Sequence, residues 1–114
     1  MDTRREAPLA TALQPVIDAS PEAIFLMSPD GCVLAANEAM GRRMRMSAGE
    51  MVGRNVYGFV DPQTAARRRE HVDTVLATGR PVVFRDERQG QTLEHHLHPV
   101  PDASGRTAFV AVCA

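Results

Sequence analysis

Apolar positions along the chain come in short blocks whose spacing changes from helical to strand-like. Leu9, Leu13, Val16 and Ile17 stand at i, i+4, i+7 and i+8, the stripe of a short amphipathic helix that ends near Ser20 and is weakened by Pro15. Residues 1–7 offer nothing to bury, so 1–11 are expected to be disordered or loosely packed ahead of a domain spanning 12–114. Residues 23–27 and 33–36 are unbroken apolar runs, and Ser28, Pro29, Asp30 and Gly31 between them are types that preset a tight turn. They predict a hairpin. Its first strand lacks polar alternation, as a strand covered on both faces would, and is expected to be central in its sheet.

Asn37 is placed to cap a second short helix, with Glu38 in its first turn and Met40 and Met44 on one face. Gly41, Gly49, Gly53 and Gly58 then divide the following stretch into one-turn pieces. Asp61 followed by Pro62 is a strong helix start, and Thr78 with Gly79 a matching stop. This longest helix should turn Val72, Val75 and Leu76 inward and leave Arg67, Arg68 and Arg69 solvated. Strands at 82–86, 93–100 and 107–112 complete the chain, the first two joined by a turn around Gln89 and Gly90. Strands, then helices, then strands make the fold class α+β.

With 114 residues there is room for one core, and with 4% aromatic residues and no Trp that core must rest on aliphatic side chains. The net charge of -1 leaves no basic excess to follow a phosphate backbone, so direct nucleic acid binding is not expected. Cys32 and Cys113 form neither a disulfide framework nor a zinc pattern, which suits reduced thiols in a cytoplasm. No apolar run reaches the roughly 18 residues of a membrane span. The last strand runs straight to the end of the chain, so a longer parent protein is expected.

Four segments taken in order resemble the PAS family: DASPEAIFLMSPDGCVLAANEAM, GEMVGRNVYGFV, VLATGRPV and HPVPDASGRTAFV. The resemblance implies a five-stranded antiparallel sheet in the order 2-1-5-4-3, with short helices and one longer helix on one face and a ligand pocket between. It also implies a homodimer, and a C-terminal linker and effector that this chain stops short of.

Photoreceptors of that family carry a Gly-x-Asn-Cys-Arg-Phe motif. The matching stretch here is Gly53, Arg54, Asn55, Val56, Tyr57, so Val56 replaces the adduct-forming cysteine and flavin adduct chemistry is not expected. Haem-binding relatives place a histidine in the long helix roughly ten residues before its closing glycine, whereas His71 precedes Gly79 by only eight, which rotates its side chain away. Haem is therefore not expected either. Glu94, His96 and His98 share one face of a strand and could supply three metal ligands, although exposed polar groups on a sheet are the commoner meaning. His95 points the other way with Leu93 and Leu97, as a polar group in an apolar pocket or a core histidine.

The pocket candidates are Met40, Met44, Tyr57 and Val72, joined by Leu76, Phe84, His95 and Leu97. Together they would suit a small apolar or weakly polar molecule. No nucleophile, base and orienter are brought together, so no enzyme is expected. The expected function is a sensory input domain that signals by dimer rearrangement to a helix-turn-helix transcription factor or, next, a histidine kinase. The alternative is a ligand-free dimerisation module, in which the stripe Leu9, Leu13, Val16 and Ile17 either packs on the chain's own sheet or pairs with a second copy as the interface.

Overall fold

The computed structural model describes the backbone of residues 3–88 and 90–114 and the side chains of 11–87 and 90–114. Helix α1 (Thr3–Asp18) leads into the hairpin β1 (Ile24–Met27) and β2 (Val33–Ala36). Two short helices, α2 (Glu38–Met44) and α3 (Ala48–Met51), and a 3-10 turn at Val56–Phe59 precede the long helix α4 (Pro62–Thr78). Strands β3 (Val82–Arg88), β4 (Gln91–Pro101) and β5 (Thr107–Cys113) follow. All pairings are antiparallel and the order is β2-β1-β5-β4-β3, as the resemblance implied.

The missing alternation in β1 has a structural cause. The strand pairs with β2 on one side and β5 on the other, and both its faces are covered. On the outer face Leu26 packs with Ile17 of α1 and Ala35. On the inner face Met27 joins Val72 and Val75 of α4 with Leu97, Val110 and Val112. Each such fully buried side chain contributes roughly 1.5–3 kcal/mol.

The helix boundaries follow local chemistry. The Asn37 side chain accepts from the Met40 N–H at 3.0 Å, and the Asp61 carboxylate from the Thr64 N–H at 2.9 Å. Gly79 closes α4 at φ 66°, a left-handed conformation, and its N–H bonds the Val75 carbonyl at 2.8 Å. In the glycine-divided stretch, Ser47 and Glu50 cap each other around α3.

Helix α1 ends near Ser20 as its stripe predicts, and its turns around Pro15 are tied down by contacts elsewhere in the chain. Gln14 donates to the Ala36 carbonyl at 2.8 Å on the edge strand, and Asn37 donates to the Ile17 carbonyl at 2.8 Å. The helix also extends N-terminally to Thr3. Of the proposed interface stripe, Ile17 is buried and Leu13 half-buried against the chain's own sheet, whereas Val16 is 66% exposed. The Leu9 side chain lies outside the described residues, as does Gln89 of the β3–β4 turn. One expectation changes: Arg68 is not solvated with Arg67 and Arg69. It stands four residues before Val72 and seven before Val75, on the inward stripe of α4, and pairs with Asp86.

Candidate functional site

Between the inner face of the sheet and the layer made by α2, α3, the 3-10 turn and α4 lies a cavity of about 80 Å³. Helix α2 contributes Met40 and Met44, which the i, i+4 spacing brings to one side, and α4 contributes Val72. The 3-10 turn contributes Tyr57, and the strands Phe84, His95 and Leu97. Leu76 is the exception among the expected residues. It packs against the core cluster around Val72 and Val75 and does not reach the cavity wall.

Alternation along β3 sets the chemistry of the far wall. Val82, Phe84 and Asp86 turn toward the helices while Val83, Arg85 and Glu87 face out. Phe84 lies opposite His95 on β4, and Asp86 is two residues further along the same face. His95 Nε2 donates to Asp86 Oδ1 at 2.9 Å, and Arg68 Nε donates to Oδ2 at 2.7 Å. A carboxylate only accepts, so this bond assigns the ring proton to Nε2. Side-chain exposure of Arg68, Asp86 and His95 is 20%, 10% and 8%, which makes this a nearly buried charge network at the cavity.

Burial pushes the His95 imidazole below its ordinary value, against the Asp86 hydrogen bond, and the positive charges of Arg68 and Arg43 add to the depression. Burial alone would raise Asp86, but the hydrogen bonds from Arg68 and His95 outweigh it and hold the carboxyl below its usual range. The resting state is therefore neutral His95 beside an ionised Arg68–Asp86 pair. The His95 ring also stacks on Phe84 at 4.8 Å, and Phe84 stacks on His71 of α4 at 4.1 Å. His71 is thus held as a half-buried packing partner of Phe84, off the cavity wall.

Tyr57 supplies a second polar point. Its hydroxyl is buried with no well-formed hydrogen bond among the described residues, and burial pushes the phenol above its ordinary pKa against the nearby Arg69 guanidinium. The Arg69 guanidinium lies 4.5 Å over the ring. The ring edge rests on Gly31, where an added Cβ would stand 2.5 Å from Tyr57 Cε2.

The other sequence candidates fall outside this site. Glu94 and His96 pair at 3.0 Å, and His96 and His98 stack at 6.3 Å, all on the outer face. Among the described residues, no group of three His, Cys, Asp or Glu side chains is arranged to hold a metal ion. Val56 lines the cavity where the resemblance would set the adduct cysteine, and neither Cys32 nor Cys113 is on the wall, so these residues do not fit flavin adduct chemistry. His71, the histidine that the resemblance would set against haem, is off the wall.

Sequence reasoning missed Arg43, Arg68 and Asp86. For Arg68 a signal existed, its spacing to Val72 and Val75. For Asp86 it was the alternation with Phe84. Arg43 had none, because its place depends on how α2 packs.

No helix among the described residues is long and apolar enough to cross a membrane. A comparison with curated protein sequences found no match. A family model described as PAS fold matches residues 17–114. Among solved structures, the chain is similar to the PAS domain of Bordetella pertussis BvgS, with 21% identity and a TM-score of 0.77 over 93% of this chain and 84% of that one. It is also similar to a sensory box sensor histidine kinase from Vibrio cholerae, with 18% identity and a TM-score of 0.71 over 99% and 94% of the two chains. Vibrio cholerae VqmA, described as a dimer in a study of DNA binding by LuxR-type receptors, matches with 19% identity and a TM-score of 0.70 over 87% of this chain and 48% of that one. The strand order, the helical layer over a small cavity and the matched span make this chain a member of the PAS family.

Proposed function

We propose that this domain is a non-catalytic sensory input that binds a small, mostly apolar molecule and passes the signal to an effector by rearranging a homodimer. One observation carries the reading: an apolar, methionine-rich cavity with the Arg68–Asp86–His95 network built against it. Apolar walls with a few fixed polar groups are the common composition of ligand sites. Methionine side chains, here Met40, Met44 and Met51, adapt to the occupant's shape. The effector favoured is a helix-turn-helix transcription factor, by analogy with the LuxR-type receptor, followed by a histidine kinase, by analogy with the sensor kinase.

A ligand-free dimerisation module is the second reading. It is favoured by the cavity's size, about 80 Å³ against the roughly 300–1,000 Å³ of drug-sized ligand sites, and by the exposed Val16 on α1. The two part on thermal stability, because a ligand that binds only the folded state raises Tm by mass action. A broad metabolite screen that yields a concentration-dependent rise in Tm supports the sensor. A screen with no shift in a protein that dimerises supports the module.

A further inference from the structure

Taking the cavity as a ligand site, its lining specifies the charge of the occupant. Four side chains on the wall are polar in their head groups: Arg43, Tyr57, Arg68 and His95. None is an acid. Asp86 is not on the wall, and its two oxygens accept from Arg68 and His95.

Asp86 balances Arg68 and His95 is neutral, so among the wall side chains Arg43 is the charge with no ion-pair partner among the described residues. Arg43 is solvent-exposed and stays hydrated without a counter-charge, but a monoanion whose body fills the apolar space would meet its guanidinium at the cavity mouth. A carboxylate matches guanidinium geometry and would receive charge-assisted hydrogen bonds. A doubly charged head would overshoot the balance and bring repulsion from Asp86. Tyr57 lies near different charges, Arg69 and Asp73, so its hydroxyl is a separate polar point. The rest of the wall accepts only carbon.

We propose that the cavity takes a small organic monoanion, a carboxylate on an apolar body of a few carbons, with its head at Arg43 and Arg68. The Arg68–Asp86 bond holds one guanidinium in place, and Arg43 on exposed α2 closes the charge from the solvent side. An occupant larger than the cavity is admitted by rotation of Met40 and Met44.

The test uses the 114-residue chain with its C-terminus amidated, because Ala114 lines the cavity and a free carboxylate there would add a negative charge, and three probes of nearly one shape: isovalerate, isovaleramide and 3-methylbutan-1-ol. Binding is read by thermal shift and by intrinsic fluorescence, for which Tyr57 is the only tyrosine and no tryptophan competes. The expected result is a Kd for isovalerate at least about tenfold below those of the amide and the alcohol, with a rise in Tm. Arg43→Gln is expected to weaken isovalerate by about tenfold and to leave the neutral probes unaffected. Arg43 is exposed, so this variant does not put folding at stake, whereas Arg68→Gln would also leave Asp86 short of a partner.

Amide or alcohol binding as tightly as the acid overturns the anion assignment and leaves the cavity a ligand site. Unchanged isovalerate affinity in Arg43→Gln overturns the placement of the head. Failure of all three probes up to about 10 mM overturns the assignment too. The metabolite screen then decides independently whether the cavity takes any ligand.

Discussion

The Asn37 side-chain amide donates to the Ile17 carbonyl at 2.8 Å, so the residue that caps α2 also closes the C-terminal end of α1. The same side chain donates to the Glu22 carbonyl at 2.7 Å and accepts from the N–H groups of Ile24 and Met40. It is 1% exposed, and its bonding capacity is spent on backbone groups from α1, the α1–β1 link, β1 and α2. Asn37 is therefore the joint between the helix on the outer face and the helical layer around the cavity.

Asn37→Ala is expected to lower stability by about 2–4 kcal/mol, because it strands buried donors and acceptors together. Asn37→Asp keeps the acceptor for Ile24 and Met40 but sets a carboxylate against the Ile17 and Glu22 carbonyls, so it should be no better. Urea denaturation monitored by circular dichroism gives both values. A loss under about 0.5 kcal/mol for either variant would show that the joint is not needed.

The Arg68–Asp86 pair predicts an asymmetric response to mutation. Asp86→Asn leaves Arg68 without its counter-charge and should cost about 2–3 kcal/mol, below the range for fully buried pairs because Arg68 keeps 20% exposure. The double variant R68M/D86L replaces both charges with apolar groups and should recover part of that loss. If the double variant is as unstable as the sum of its single changes, the two residues act independently and the pairing is not what stabilises this wall.

Stability should fall on acidification in two separate windows. His95 faces Asp86 from β3, Arg68 from α4 and Arg43 from α2, and its pKa in the folded state lies below the ordinary 6.5. Between the two values the unfolded chain binds the extra proton, so the His95 contribution is present above about pH 6.5 and lost as pH drops below it. Asp86 is likewise depressed below 3.8, and its contribution goes as pH falls from there through its folded value. Thermal melts of wild type and His95→Gln across about pH 5 to 8 check the first window. The variant should show a shallower dependence, and an equally steep one would assign the effect to other groups.

Much of this architecture was legible in local chemistry. The Asn37 and Asp61 caps, the Gly79 stop and the strand runs each depend on residues within a few positions of one another. The two-sided burial of β1 could be read from its lack of alternation. The charge network was harder. Arg68 sits in a run of three arginines that reads as a solvated face, and only its spacing to Val72 and Val75 gives it away. Pro15 weakens the N-terminal helix that the apolar stripe predicts, and the contacts from Gln14 and Asn37 that hold it are not local. The packing of Tyr57 on Gly31 joins two loops distant in sequence, and no local pattern announces it.

That contact yields the sharpest packing prediction. Gly31 has φ 95° and Gly53 has φ 88°, so an alanine at either position is strained by its backbone alone, by about 1 kcal/mol or somewhat more. At Gly53 nothing lies within 4 Å of an added Cβ, whereas at Gly31 the Cβ would stand 2.5 Å from Tyr57 Cε2 and 3.3 Å from Asn55 Oδ1. Gly53→Ala thus measures the strain, and the excess loss in Gly31→Ala measures displacement of the Tyr57 ring, expected at about 1–3 kcal/mol more. Because Tyr57 is the only tyrosine, its fluorescence should change in Gly31→Ala and stay constant in Gly53→Ala. Tyr57→Phe completes the set: it removes a buried hydroxyl that has no partner, so the unliganded protein should be as stable as wild type or up to about 1 kcal/mol more so. A marked loss in Tyr57→Phe would mean that the hydroxyl is already bonded, by a trapped water or by Arg69, and is not waiting for a ligand atom.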